Sequence, residues 1–451
     1  MSVKPFSRLG AAALFSTMLT APAFAAMGNT ASTYGLLPVD VGSAQALSLF
    51  NTQASALYYN PAYLTQDPRG ELTAGLLHGE HDLRVISKGN PSGGGAAVIR
   101  DGDKANVADT QQQVIALKTD LTDMLKGDHP LYFAIIAGVE KFGEEMLAFE
   151  SQNSREGQYM QYGRQPLFLN LGGGLEVANG ITTGASAHVS LRNEATLIAS
   201  ANLAGETQYE ELNVKAKPVI RPILSMNLEW DKIFCGNDDC GIFSGLESAV
   251  AFRGHTSART AVESNLTIPG TVVDPGITVL IDTIDSYQPD IISAGLQYQL
   301  FDNFRVAASV EQQNWSDLEE ELAKDTVKDQ AQAKFKDILV PRIGAELSIN
   351  DHIKLFGGVA YHESPLESIQ TPDVNYFDND RLIVGVGSAL IIKNPPILAY
   401  PMRLDFGYQY QQLEEREFEL TTTRPGVTNP YESVNTEGDV HVFSGSLTLK
   451  F

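Results

Sequence analysis

DVHVFSGSLTLKF, residues Asp439–Phe451, alternates along its whole length. Successive side chains of a strand point to opposite sides. Val440, Val442, Ser444, Ser446, Thr448 and Lys450 therefore share one face, and His441, Phe443, Gly445, Leu447, Leu449 and Phe451 the other. The second face is the more apolar, and the chain stops on an aromatic residue. A soluble sandwich strand would also alternate. In an outer-membrane barrel the alternation separates lipid from lumen, and aromatic residues gather at the interfaces. The terminal Phe451 favours the barrel and reads as its assembly signal.

The other end of the chain agrees. MSVKPFSRLG carries Lys4 and Arg8, AAALFSTMLTA is apolar, and Ala23-Phe24-Ala25 forms an A-x-A cleavage site. Residues 1–25 are thus expected to be a signal peptide, with Ala26 the first mature residue. Outside it no apolar run reaches the ~20 residues of a spanning helix. The formal charge is −23, or −25 once the positive charges of Lys4 and Arg8 leave with the leader. A nucleic-acid partner would call for clustered Lys and Arg, so that class is excluded. With 19% charged and 43% hydrophobic residues the chain is no disordered acidic tail either.

Working back from Asp439, similar segments recur in pairs. LVPRIGAELSI and IKLFGGVAYHE flank Asn350-Asp351-His352; PDIISAGLQYQL and FRVAASVEQQNW flank Phe301-Asp302-Asn303; DRLIVGVGSALII and MRLDFGYQYQQLEE flank KNPPILAYP. PLYFAIIAGVE is paired with MLAFESQN, RQPLFLNLGGGLEV with ITTGASAHVSLR, and VIRPILSMNLEW with IFSGLESAVAFR. With ELTAGLLHGEHDLRVI first and the Asp439 strand last, fourteen strands are expected. Longer pieces, Ser87–His129, Asn193–Asn213, Gly254–Gln288 and Ser316–Ile338, read as loops on the opposite rim. Short turns on one rim and long loops on the other is the asymmetry of bacterial outer-membrane barrels. The expected organisation is a signal peptide over 1–25, an N-terminal segment over 26–69, and an all-β transmembrane antiparallel barrel over 70–451.

VDVGSAQALSLFNTQASALYYNPAYL precedes the first strand and is rich in Ala, Ser and Gly, suited to short, closely packed helices. Pro61 disfavours the α region at Asn60 and fixes its own φ, so Asn60-Pro61-Ala62 is a rigid turn. Such a piece cannot be a spanning strand, and its simplest place is inside the barrel as a plug. Gly172–Gly174 within a strand reads as a site where another backbone, here the plug, comes close.

Three stretches resemble the FadL-type family of outer-membrane transporters for long-chain fatty acids and other hydrophobic molecules, toluene transporters among them. Gly42, Ala44 and Ala46 with SALYYNPAYL match the small-residue segment and hatch; PDIISAGLQYQLFDNFRVAASVEQQNWSDL matches a strand-turn-strand ending in Asn314-Trp315-Ser316. VPRIGAELSINDHIKLFGGVAYHESP, Arg381 and Phe451 match the C-terminal strands. The resemblance spans the mature chain. It departs at Tyr63, where Gly is usual, at Thr52-Gln53 in place of an acidic pair, and at His362 in place of a common Asp.

The resemblance implies a passive transporter, with gating at Asn60, Pro61 and Ala62 and capture of an apolar molecule in a groove of the third and fourth outer loops. Those loops carry Leu197, Ile198 and Leu203, then Ile268, Val272, Val273, Ile277, Val279, Leu280 and Ile281. Such an apolar run belongs in a water-bathed loop only if it packs on something or binds something apolar. The partners expected are a hydrophobic small molecule, outer-membrane lipid and lipopolysaccharide, and the barrel assembly machinery, with the chain a monomer. A structural or receptor barrel, or a polar porin, stands as the alternative.

No cofactor is expected. Cys235 and Cys240, in FCGNDDCG, have no nearby His pair to complete a zinc site, and in an oxidising compartment a close pair closes a disulfide loop. His78 and His81 fall on opposite strand faces and cannot share a metal ion. Asp101-Gly102-Asp103 has Ala105 where a calcium ligand is needed, and PSGGGAAVIR lacks a phosphate-loop ending. No G-x-S-x-G elbow is present, so the chain is not read as an enzyme.

Overall fold

The computed structural model describes residues 26–27, 29–88, 103–104, 109–124, 129–141, 167–201, 207–236, 241–268, 272–324, 334–367, 370–372, 378–396, 398–421 and 433–451. Residues 1–25, expected as a signal peptide, and PSGGGAAVIR lie outside them.

Fourteen strands form the wall, each antiparallel to the next. In chain order they are β1 Glu71–Lys88, β2 Thr110–Asp120, β3 Leu131–Lys141, β4 Leu167–Ala178, β5 Ile181–Ala201, β6 Thr207–Glu229 and β7 Leu246–Arg253. The series continues with β8 Asp290–Phe301, β9 Phe304–Asn314, β10 Ile338–Asn350, β11 Ile353–His362, β12 Arg381–Ile392, β13 Met402–Thr421 and β14 Ser433–Lys450. β14 pairs with β1 from Ser433 opposite Lys88 to Lys450 opposite Glu71, which closes the sheet.

The two faces invert the pattern of a soluble protein. Leu76, Ile115, Leu296, Ile343 and Phe406 face outward and are exposed, whereas Arg221, Arg253, Lys118 and Asp405 face inward and are buried. β14 divides in the same way: Phe443, Leu447 and Phe451 are exposed, while Val440, Val442, Ser446, Thr448 and Lys450 are buried. Hydrocarbon outside and polar groups inside satisfy both faces.

β2 lies within the stretch expected to be the first long loop. Its signal is weak because Gln111 and Gln113 occupy outward positions among Ile115 and Leu117. Met146–Asn153, expected as a strand, lies outside the described residues, and both edges of β3 are taken by β2 and β4. The strand total therefore agrees while one member differs.

Two further loops prove to be sheet. β5 and β6 extend the wall past Asn193 and pair up to Ala201 opposite Thr207. Thr256–Ile268 and Val272–Gln288 form an outer hairpin, antiparallel through most of their length. Their β-branched residues suit strands, and pairing satisfies backbone groups that a long irregular loop would leave to water. The Ser316–Ile338 connection carries a short helix, Leu318–Leu322.

Residues Asn29–Asp67 run through the lumen as short helical turns, Thr30–Thr33, Pro38–Gly42, Ser48–Phe50, Ala56–Tyr59 and Pro61–Gln66. Glycines of the wall let this backbone lie directly on the sheet. A Cβ on Gly174 or Gly184 would collide with Pro61 and Ala62, and one on Gly385 would sit 2.7 Å from the nitrogen of Ala44. Gly184→Val should therefore cost about 1–3 kcal/mol of seating energy by overpacking. The barrel should keep its heat-modifiable mobility on gels while cells become leaky to small polar antibiotics; unchanged leakage would contradict the close fit.

Candidate functional site

Asn60 links two turns of the lumenal segment. Its Nδ2 donates to the Leu49 carbonyl at 2.7 Å, and its backbone N–H donates to Ala56 O at 2.7 Å. Pro61 follows with no N–H to satisfy, and the Ala62 N–H donates to Ser225 Oγ of β6 at 2.9 Å. All three residues are buried against β4, β5 and β6.

A second centre is Asp40, with no exposed surface. Its carboxylate accepts from Leu37 N at 3.0 Å, Ser48 Oγ at 2.8 Å and Asn51 Nδ2 at 3.4 Å, tying the segment into a loop. Ala44 and Gln45, on that loop, hold left-handed φ values of 49° and 62°. Such backbone costs on the order of 1–3 kcal/mol per residue. Packing offsets it: Ala44 sits on Gly385, and Gln45 donates to Ser32 O at 3.0 Å.

The segment meets two unlike walls. On one side Val114, Ala116, Tyr132, Ala134, Ile136, Phe168 and Ile223 form an apolar cluster with its Leu36, Leu37, Leu57 and Leu64. On the other side the wall is charged and internally paired. Arg253 and Arg342 lie 2.6 and 3.5 Å from Glu311, and Arg305 and Lys354 lie 3.0 and 2.8 Å from Glu346. At the turn-bearing rim Lys450 Nζ meets Asp67 at 2.5 Å, and Glu71 accepts from Ala54 N at 2.5 Å.

Above Ser32–Tyr34 lies a cavity of about 50 Å³, bounded by Arg221, Arg342, Arg381, His362, Trp315 and Ile383. Small-molecule pockets run to roughly 300–1,000 Å³, so this cavity is smaller than such a pocket.

The remaining sequence-derived residues are placed as follows. Leu197 and Ile198 lie on β5, while Ile268, Val272, Val273, Ile277, Val279, Leu280 and Ile281 lie on the outer hairpin. The backbone brings these groups together, because Leu266–Thr267 runs parallel to Ala199–Ser200. Leu203 lies outside the described residues. Cys235 is disulfide-bonded at the end of the helix Trp230–Cys235, and Cys240 is outside the described residues. Phe451 packs edge-on to Tyr400 at 5.9 Å and exchanges backbone hydrogen bonds with Gly70. His78 is exposed beside Glu80, while His81 faces the lumen and pairs with Tyr34 at 2.8 Å. Of the cavity arginines only Arg381 was named from sequence, and Arg221, Arg342 and the carboxylates Glu311 and Asp378 were not singled out. Only the isolated Arg within each apolar strand could have marked them.

A closed outer-membrane barrel with a lumen filled by its own N-terminal segment defines a transport barrel of the bacterial outer membrane. The profile of the outer membrane transport proteins (OMPP1/FadL/TodX) matches residues 247–451. Alkane uptake protein A of Marinobacter nauticus is 47% identical over 98% of this chain and 95% of its own length. A solved FadL homologue from Pseudomonas aeruginosa shares the fold with a TM-score of 0.61 at 13% identity, covering 95% of this chain and 99% of that one. The Pseudomonas putida toluene transporter TodX gives 0.52 at 13% identity, covering 93% and 99%. The chain belongs to the OMPP1/FadL/TodX family.

Burial pushes the Asp40 carboxyl up to about 6, against the opposing pull of its hydrogen bonds from Ser48, Leu37 and Asn51. The folded segment then binds a proton more tightly than the unfolded one. Its stability is greatest below about pH 4, falls as pH rises to about 6, and is flat above. Hydrogen-exchange protection of Leu37–Ser48 should be higher at pH 4.5 than at 7.5. Asp40→Asn should abolish the difference; a pH-dependent Asp40→Asn protein would sink this account.

Proposed function

We propose that the protein takes up n-alkanes through the outer membrane, with residues 26–69 acting as the plug of a barrel formed by 70–451. The carrying observation is the 47% identity, over nearly the full length of both chains, to a protein named for alkane uptake. The apolar cluster of Val114, Ala116, Tyr132, Ala134, Ile136, Phe168 and Ile223 supports the reading, since it offers an uncharged chain apolar contact. Asn60, Pro61 and Ala62 would set the plug's hinge. Leu197, Ile198 and Leu203 with Ile268, Val272, Val273, Ile277, Val279, Leu280 and Ile281 would form the outer capture surface. The chain works as a monomer without catalysis, embedded among lipid and lipopolysaccharide, with Phe451 read by the assembly machinery and Cys235 joined to Cys240.

A second cargo, a long-chain carboxylate, is favoured by one observation: Arg221, Arg342 and Arg381 border the cavity above the plug. Uptake of labelled hexadecane and labelled palmitate by cells with and without the protein separates the two. Hexadecane uptake should depend on the protein, and equal uptake in both strains would overturn the alkane reading. Val279→Asp or Ile281→Asp should lower that uptake severalfold with the barrel intact, because an unpaired charge beside an apolar ligand costs ~1–3 kcal/mol. Normal uptake in both variants would remove the hairpin from the route.

A further inference from the structure

Arg221 sits on β6 with no exposed surface, and its guanidinium reaches three parts of the molecule at once. Nε donates to the carbonyl of Gly254 at 2.6 Å, and Nη2 donates to the carbonyl of Pro289 at 2.7 Å. Those residues stand at the two feet of the outer hairpin, Gly254 two positions before Thr256 and Pro289 directly after Gln288. Nη1 donates to Gln288 Oε1 and, at 3.3 Å, to the hydroxyl of Tyr58. Tyr58 belongs to the Ala56–Tyr59 turn directly before Asn60-Pro61.

The chain of bonds continues into the N-terminus. The Tyr58 hydroxyl donates to Asn29 Oδ1 at 3.3 Å, Asn29 Nδ2 donates to Gln288 Oε1 at 3.3 Å, and Asn29 caps the Thr30–Thr33 turn. Ala26–Met27 then runs parallel to Ser286–Tyr287 of the hairpin. The hairpin's root and the plug's N-terminal turns thus share one closed set of hydrogen bonds, with a single side chain at its centre.

We propose that Arg221 is a positioning residue that couples the outer hairpin to the plug, so that displacement of one loosens the other. The chemistry suits arginine. Arg221 forms no ion pair among the described residues, and its planar fork is held by carbonyl, amide and hydroxyl oxygens lying in different directions. A lysine keeps the charge but cannot span those acceptors. Reaching the hairpin feet and Tyr58 together is a matter of donor geometry, which charge alone does not supply. The role deepens the transport reading: it gives a capture surface above the membrane a mechanical connection to the hinge below.

Three variants test the coupling without any substrate. Tyr58→Phe removes one hydroxyl and keeps the ring against Arg253 and His188. Gln288→Leu removes the shared amide, and Arg221→Lys keeps charge without the fork. Hydrogen exchange of the purified, detergent-solubilised protein should show plug amides from Ala56 to Leu64 losing about tenfold protection in each variant, the scale of one such hydrogen bond. Amides of β10–β13 should be unchanged. Loosening confined to the hairpin, or plug protection equal to wild type, would overturn the proposal and leave Arg221 as an anchor of the hairpin alone. If Arg221→Lys fails to reach the outer membrane, the other two decide. In cells, Tyr58→Phe should cut hexadecane uptake severalfold. Should hexadecane prove not to be cargo, the exchange result stands on its own.

Discussion

Hydrocarbon offers no hydrogen bonds, so a sheet immersed in it must pair every strand edge, and the ladder between β14 and β1 is where this chain meets that demand. Much else follows from the closure. A ring of fourteen strands encloses a lumen too wide for wall side chains to fill alone. The N-terminal segment supplies the missing volume, and its Ala, Ser and Gly content lets backbone lie on backbone. The inverted faces follow as well, because the solvent lies outside and the polar groups have only one another and the segment to meet.

Buried ion pairs are poor stabilisers on balance, since desolvation consumes most of their attraction, but losing one partner is costly. Their arrangement here serves position more than stability. Arg253, Glu311 and Arg342 occupy three strands of one half of the wall, as do Arg305, Glu346 and Lys354. The opposite half carries the apolar cluster of Val114, Ala116, Tyr132, Ala134, Ile136, Phe168 and Ile223 amid fewer buried charges, which include Lys118, Glu140 and Arg221. The segment between them is bonded to both flanks, to Ser225, Ser186 and Arg221 on the side of the apolar cluster and to Arg305 and Arg342 on the other.

The barrel, its outward and inward residues and the special turn at Asn60-Pro61-Ala62 were legible because each rests on local pattern. Period-two alternation in β14 needs only thirteen residues to show itself. β2 escaped because glutamines break its alternation, and the outer hairpin escaped because strand-forming residues beyond the membrane were read as loop. The Arg221 network was illegible for another reason: Tyr58 and Gln288 lie 163 and 67 positions away along the chain. No local period records such a meeting. Chemistry of this kind is fixed by which strands become neighbours across the lumen, and that is known only once the ring is closed.

Lys450 is the last strand residue before the terminal Phe451, and its partner Asp67 lies four positions before the first strand begins. The contact therefore joins the beginning of the wall to its end. The segment is buried over nearly its whole length inside the ring. The seam that seals the ring is thus also a place where its contents are held. A chain made without the segment would have to close over an empty centre, lacking the carboxylate of Asp67 that meets Lys450 at the seam.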